Sequence, residues 1–161
     1  MIVSHAKKFI FFAVPKTGTH AVRELLSSHK GPDDWEQQIL FGEQLSPIPE
    51  IAKIQHGHIG AQQITPYLDK AAWESYFKFA IVRNPFDRFI SICFFLNRNN
   101  PKFLETPLLW MKSAIVVPRF QERVLVKPQY LQLTDVQGSM AMDYVGRYEA
   151  LQDSMDEICK R

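Results

Sequence analysis

Pro15-Lys16-Thr17-Gly18-Thr19 follows an apolar run, Phe9 to Val14, and a helical pattern begins directly after it. These residue types suit an anion cradle. A helix N-terminus offers unpaired N–H groups and the positive end of a dipole. Gly18 lets backbone approach a ligand closely. Thr17 and Thr19 add hydroxyl donors, and Lys16 adds a full positive charge. The loop departs from the nucleotide-binding pattern G-x-x-x-x-G-K-[ST], in which lysine follows the last glycine. Here Lys16 precedes Gly18 and the upstream glycine is missing. On the residues alone, a strand-to-helix turn with an incidental lysine stands beside the phosphate reading.

A second such stretch is Val82-Arg83-Asn84-Pro85-Phe86-Asp87-Arg88-Phe89-Ile90-Ser91. Arg83 can direct two donors onto one phosphate, and Ser91 offers a hydroxyl two turns into the following helix. Asp87 and Arg88 read as a surface pair, worth little. Proton transfer at neutral pH calls for histidine. Of the five histidines, His56 and His58 share a glycine-flanked H-G-H segment, which by itself reads as loop; His20 borders the lysine loop, where it packs or touches phosphate; His5 and His29 read as surface. No metal-ligand spacing accompanies the histidines.

Two strands are needed to position these groups: Phe9 to Val14, part of an N-terminal block read as one first strand, and Tyr76 to Val82. Each ends in a cationic residue, Lys16 or Arg83. After the first, Val22, Leu25 and Leu26 recur at helical spacing, and Lys-Gly-Pro stops the helix near Pro32. After the second, Phe86, Phe89, Ile90, Cys93 and Phe94 mark an amphipathic helix that starts at Pro85 or Phe86. Between them the sequence predicts a short helix and loop over 33–49, a short strand over 54–59 and a helix over 61–68. Further on it predicts a loop over 97–107, a helix over 108–117, an irregular segment at 124–126, short strands at 130–133 and 144–148, and a final helix over 151–160. Alternating strands and helices indicate an α/β fold with an open, mainly parallel sheet flanked by helices. Ligands of such sheets bind beyond the carboxyl ends of the strands, where Lys16 and Arg83 stand.

At 161 residues the chain reads as one domain. A net charge of +2, with no basic run, does not point to nucleic acid. No segment reaches the roughly 18 apolar residues of a membrane span. Cys93 and Cys159 suggest neither a disulfide framework nor a metal site, and Cys93 reads as a buried thiol. The expected setting is a reducing cytoplasm.

In combination the motifs resemble the sulfotransferase family, in particular its carbohydrate-type branch with the heparan 2-O- and chondroitin sulfotransferases. Pro15-Lys16-Thr17-Gly18-Thr19 matches the family's PKTGT, and Arg83 to Ser91 match its RNPxDRxxS. Asp143-Tyr144-Val145-Gly146-Arg147-Tyr148-Glu149-Ala150-Leu151 looks like its VGRYENL stretch. The three occur in the family's order and span most of the chain. The resemblance implies a P-loop-like sulfotransferase fold and a donor, 3′-phosphoadenosine-5′-phosphosulfate (PAPS), used without a metal and released as adenosine 3′,5′-bisphosphate (PAP). Lys16, Thr17, Gly18, Thr19 and His20 would meet the 5′-phosphosulfate, and Arg83 and Ser91 the 3′-phosphate. Lys16 would neutralise charge on the leaving phosphate. The H-G-H of the heparan branch implies His58 as general base with His56 in support, although the two roles are interchangeable on sequence alone. The acceptor would be a small molecule or a carbohydrate. Phe103, Trp110, Arg119 and Phe120 either line its site or, as aromatics, form core with Arg119 in solvent. Relatives continue beyond the VGRYENL-like stretch, so a single domain over 1–161, short at its C-terminus, is expected. Three rivals are a module that binds PAPS or PAP without catalysis, a P-loop kinase or NTPase, and a purely structural protein; the second lacks both G-K-[ST] and a clear Mg²⁺-binding acid, and the third leaves two cationic strand ends unexplained.

Overall fold

The computed structural model describes residues 1–40 and 42–161. Ile2–Ser4 (β1) and Phe9–Phe12 (β2) form an antiparallel hairpin, with Lys8 at a positive φ of 53° in its turn. The single first strand expected at the N-terminus is therefore two. The lysine pair supplies the turn that divides them.

After β2 come Thr19–Ser27 (α1), the two-residue strand Trp35–Glu36 (β3), and the short helices Pro49–Ala52 (α2), Ala61–Ile64 (α3) and Lys70–Ser75 (α4). Phe77–Val82 (β4) leads into Pro85–Leu96 (α5). Beyond it lie Pro101–Glu105 (α6), Pro107–Ala114 (α7), Pro118–Gln121 (α8) and Tyr130–Leu133 (α9). Tyr144–Arg147 (β5), a 3₁₀ turn at Tyr148–Ala150 and Leu151–Cys159 (α10) complete the described elements.

The sheet is open, with strand order β3-β1-β2-β4-β5. The α/β architecture is the expected one, and the sheet is mixed. β2, β4 and β5 are parallel to one another, and the hairpin adds β1 and β3 antiparallel on one side. Successive side chains of β2 enter different layers, as a strand's period of two requires. Ile10 and Phe12 join Ile51, Ile59, Ile64 and Leu133 on one face. Phe11 joins Val22, Leu26, Met155 and Ile158 of α1 and α10 on the other. Burial on both faces explains the unbroken apolar run.

Several local expectations give way to packing. Residues 33–49 hold an edge strand instead of a helix, because β1 offers Trp35 and Glu36 an open ladder. Residues 54–59 form no strand; β2 already has β1 and β4 on its two sides, so no ladder position remains there. Tyr130–Leu133 is a helical turn, not a strand, and it places Gln129 and Gln132 on one face. Within the expected loop at 97–107, Pro101 starts a helix that buries Phe103. Phe103 is 1% and Phe120 8% exposed, and Trp110 meets both edge-on at 5.4 and 5.8 Å. These aromatics are a small separate core on α5, not a sugar site, and Arg119 is in solvent. No described helix is long and apolar enough to cross a membrane.

Candidate active site

The loop after β2 carries two left-handed residues, Lys16 at φ 64° and Gly18 at φ 77°. A lysine in that region is strained, a condition concentrated at functional sites. Thr17 is fully buried, and its hydroxyl donates to the Val14 carbonyl at 2.9 Å. That hydroxyl braces the loop instead of adding a ligand donor. The Gly18 N-cap offers α1 no side-chain capping bond, and the N–H groups of a helix's first turn have no intrahelical partners. Gly18 is needed twice over: for its φ, and because a Cβ there would lie 3.0 Å from the Tyr148 ring. Gly18→Ala is expected to cost about 1–2 kcal/mol in urea unfolding, from the left-handed backbone alone.

Tyr148, from the late motif, also carries Arg83. The guanidinium lies 4.5 Å from the ring centroid, and its Nη1 donates weakly to the Lys16 carbonyl at 3.4 Å. Arg83 Nε is buried without a partner. An unsatisfied guanidinium N–H beside a helix N-terminus suits an anion. The Arg83 backbone is held by Gln129, which accepts from its N–H at 3.0 Å and donates to its carbonyl at 2.8 Å. Asn84 caps α5 through Oδ1, and its own N–H donates to Glu149 at 2.6 Å. That bond, followed by Glu149's own backbone N–H, holds the Glu149 carboxyl below its usual range. The three motifs are thus one contact unit.

Ser91 is partly buried on α5. Phe95 follows it at i+4, on the same face of α5, and Arg98 lies two residues past the end of that helix. Phe95 meets two cations, with Lys16 Nζ 4.4 Å and the Arg98 guanidinium 4.9 Å from its ring centroid. Burial, then Arg83, then Arg98, lowers the Lys16 pKa. Sequence reasoning missed Phe95 and Arg98; their spacing from Ser91 was the available signal.

Arg88 is buried and does not form the expected surface pair. It donates to three successive carbonyls, Leu125 at 3.1 Å, Val126 at 3.3 Å and Lys127 at 2.5 Å. Its length takes it under the 122–128 turn, where carbonyls substitute for a carboxylate. Val124 of that turn lines two hollows.

His56 and His58 stand between those hollows and line both. His58 Nδ1 lies 2.7 Å from the Ala13 carbonyl. A carbonyl only accepts, so Nδ1 bears the proton and Nε2 the free lone pair. His56 Nδ1 accepts from the His58 backbone N–H at 3.3 Å, which leaves its proton on Nε2. The rings are 6.1 Å apart. Burial is the largest influence on His58 and lowers its pKa to about 3. The bond to Ala13 opposes this, while the charges of the Met1 amine, His56 and Arg23 add to it.

The H-G-H backbone is tightly seated. The Met1 amine donates to the Gly57 carbonyl at 2.6 Å. A Cβ on Gly57 would come 2.4 Å from the Gln37 carbonyl and 2.6 Å from Arg23 Nη2. Arg23, from α1, pairs with buried Glu36 at 3.0 Å and donates to Gln37 O at 3.0 Å. The helix that carries the anion loop therefore also supports the histidines.

The larger hollow, about 690 Å³, is lined by Lys16, Thr19, His20, Arg23, Arg98, His56 and His58, with no carboxylate among the described lining residues. The second, about 520 Å³, begins at Pro15 and is lined by Gln62, Gln63, Gln132, Glu122 and Lys127. Among the described residues, no group of three or more His, Cys, Asp or Glu is placed to hold a metal ion. A family model described as "Sulfotransferase family" matches residues 1–161. No curated protein and no solved structure matches the chain.

Proposed function

This chain belongs to the sulfotransferase family, and from that premise we propose that it moves a sulfuryl group from PAPS to a hydroxyl of a carbohydrate acceptor. The observation that carries the reading is Arg83, with a buried, partnerless Nε, resting on Tyr148 against the Lys16 carbonyl. The chain thus presents two cationic strand ends in contact, as a donor with separate 5′- and 3′-phosphates requires. The cradle at Gly18, which a Cβ would fill against Tyr148, fits the same group.

PAPS supplies the sulfuryl group and leaves as PAP, with the electron pair of the broken S–O bond on its 5′-phosphate. Lys16 and the N–H groups of Thr17, Gly18 and Thr19 stabilise negative charge at the loop. They are preorganised by the Thr17–Val14 bond and so need little reorganisation. Arg83 and Ser91 orient the 3′-phosphate. His20 lines the same cationic hollow. His58 Nε2 takes the acceptor proton, because its Nδ1 is committed to Ala13. His56 supports it as an Nε2–H donor. The bond between the His58 ring and Ala13, two residues before Pro15, sets the distance from base to anion loop.

Thermal unfolding tests the donor assignment. A ligand that binds only the folded state raises its melting temperature. PAP is expected to stabilise the protein strongly, AMP weakly and ATP with Mg²⁺ no better than AMP. Equal shifts with AMP and PAP would show that the 3′-phosphate is not read. Gly57→Ala provides a second check. Displacement of the H-G-H loop is expected to lower sulfate transfer at least about tenfold, since small misplacements are costly in catalysis, while the PAP shift persists.

A further inference from the structure

We propose that the acceptor is an uncharged, hydroxyl-rich molecule that enters through the glutamine-lined hollow, on the face of His58 away from Lys16. The inference rests on the sulfuryl-transfer reading and narrows its substrate.

The two hollows meet at His56, His58 and Val124, so the proposed base stands in their common wall. Their electrostatics differ. The Lys16 side has cations and, among the described lining residues, no carboxylate, which suits the phosphosulfate. On the other side Glu122 and Lys127 cancel formally, and the remaining polar lining is largely amide. Glu122 and Lys127 are both exposed, so an anionic acceptor there would meet one carboxylate for its one ammonium and gain little net attraction.

The amide inventory sharpens the choice. Gln62 spends one N–H on Asp135 O at 2.8 Å. Gln63 spends its Oε1 on the Gly60 N–H at 2.8 Å. Gln132 spends Nε2 on the carbonyls of Ala13 at 3.1 Å and Ile59 at 3.2 Å. Gln129, the fourth amide of the lining, spends its Oε1 and one N–H on the Arg83 backbone. What remains is a mixture: the NH₂ of Gln63, one N–H each of Gln62 and Gln129, and the Oε1 of Gln62 and of Gln132. Hydroxyls donate and accept, so they match both kinds. Carboxylate and sulfate oxygens only accept, so they offer no donor to the Gln62 and Gln132 oxygens. Such mismatches give strong discrimination in sites built to read hydroxyls.

The base and the hydroxyl-reading group are also fixed to one point. The Ala13 carbonyl accepts from both His58 Nδ1 and Gln132 Nε2. Gln132 Oε1 is therefore held at a set position relative to the His58 ring, as orientation of one hydroxyl among several requires. A hollow of about 520 Å³ falls in the ordinary range for small-molecule sites, roughly 300–1,000 Å³. In the transfer, the acceptor oxygen bonds to sulfur as the S–O bond to the 5′-phosphate breaks. The electron pair leaves with PAP, and the acceptor proton passes to His58 Nε2.

The test offers PAPS labelled in its sulfuryl group to two pools at equal concentration. One holds neutral polyols and oligosaccharides, and the other uronate-bearing and sulfated oligosaccharides. Label is expected in the neutral pool at roughly tenfold or more over the acidic pool. Glu122→Lys is expected to shift label toward the acidic pool. Gln132→Met is expected to raise the acceptor KM more than it lowers kcat, with the PAP melting shift unchanged. Preferential labelling of the acidic pool overturns the proposal. Labelling of neither pool while PAP still stabilises the protein also overturns it, and leaves the donor assignment standing. Loss of the PAP shift itself strikes the donor assignment instead.

Discussion

Lys16→Ala is expected to lower kcat about 10²–10³-fold, the usual cost of removing one preorganised stabiliser of developing charge. PAP affinity should fall much less. Lys16 shares its corner with Arg83 and Arg98, and burial with those two cations lowers its pKa in the free protein. The cluster is unfavourable until an anion enters, so the charge of Lys16 acts on the reaction more than on the fold. Alanine at the same φ of 64° retains a Cβ and hence the backbone strain. The variant also loses a contact with Phe95 worth about 0.5–1 kcal/mol, while repulsion among the three cations is relieved. Its unliganded melting temperature should therefore stay close to the wild-type value. Sulfate transfer from labelled PAPS and a ligand-free melting curve together check this. Full turnover in the alanine variant would remove Lys16 from the chemistry.

His58→Gln should cost about 10²–10⁴ in kcat, the typical contribution of a positioned base, with the PAP shift intact. His56→Gln should cost less, because its Nδ1 is already occupied by the His58 N–H. The reverse order of effects would exchange the two roles. The pH dependence carries further information. Burial, with the Met1 amine, His56 and Arg23 adding to it, holds the His58 pKa at about 3 in the free protein. The base form therefore persists well below the ordinary histidine range, near 6.5. Between pH 7.5 and 5.5, kcat/KM for the free enzyme should show no loss attributable to His58. Stability behaves differently. As pH falls below about 6.5 the unfolded chain binds a proton that folded His58 refuses, so the stability conferred by neutral His58 is progressively lost toward pH 3. Melting temperatures of wild type and His58→Gln, measured across that window, should converge or cross as the acid side is approached.

Local sequence already carried much of the frame. An apolar run buried on two faces, a glycine loop and a helical period are properties of adjacent residues, and β2, β4, α1 and α5 formed where those patterns lay. Pro85 at the first helical position and Asn84 as its cap are likewise local chemistry. The resemblance rested on residue types at fixed spacing, and the family match covers the same 161 residues. The hairpin at the N-terminus and the helical turn at Tyr130–Leu133 were not legible. Their conformations depend on which sheet edge or carbonyl lies nearby.

From the sequence alone came the types of the reacting groups, the two strand ends that bear them and the α/β class that places strand ends together. Tertiary structure alone decided their partners. Arg88 turned inward to three carbonyls instead of outward to Asp87. The aromatics of α6 to α8 became core. The proton of His58 was assigned by a carbonyl 45 residues away, and that same carbonyl holds Gln132 across 119 residues. Backbone patterns are set by neighbours along the chain, where steric and hydrogen-bonding choices are local. Tautomers, buried cations and the division of one cleft into two hollows arise only when packing brings distant groups within reach and removes water from between them.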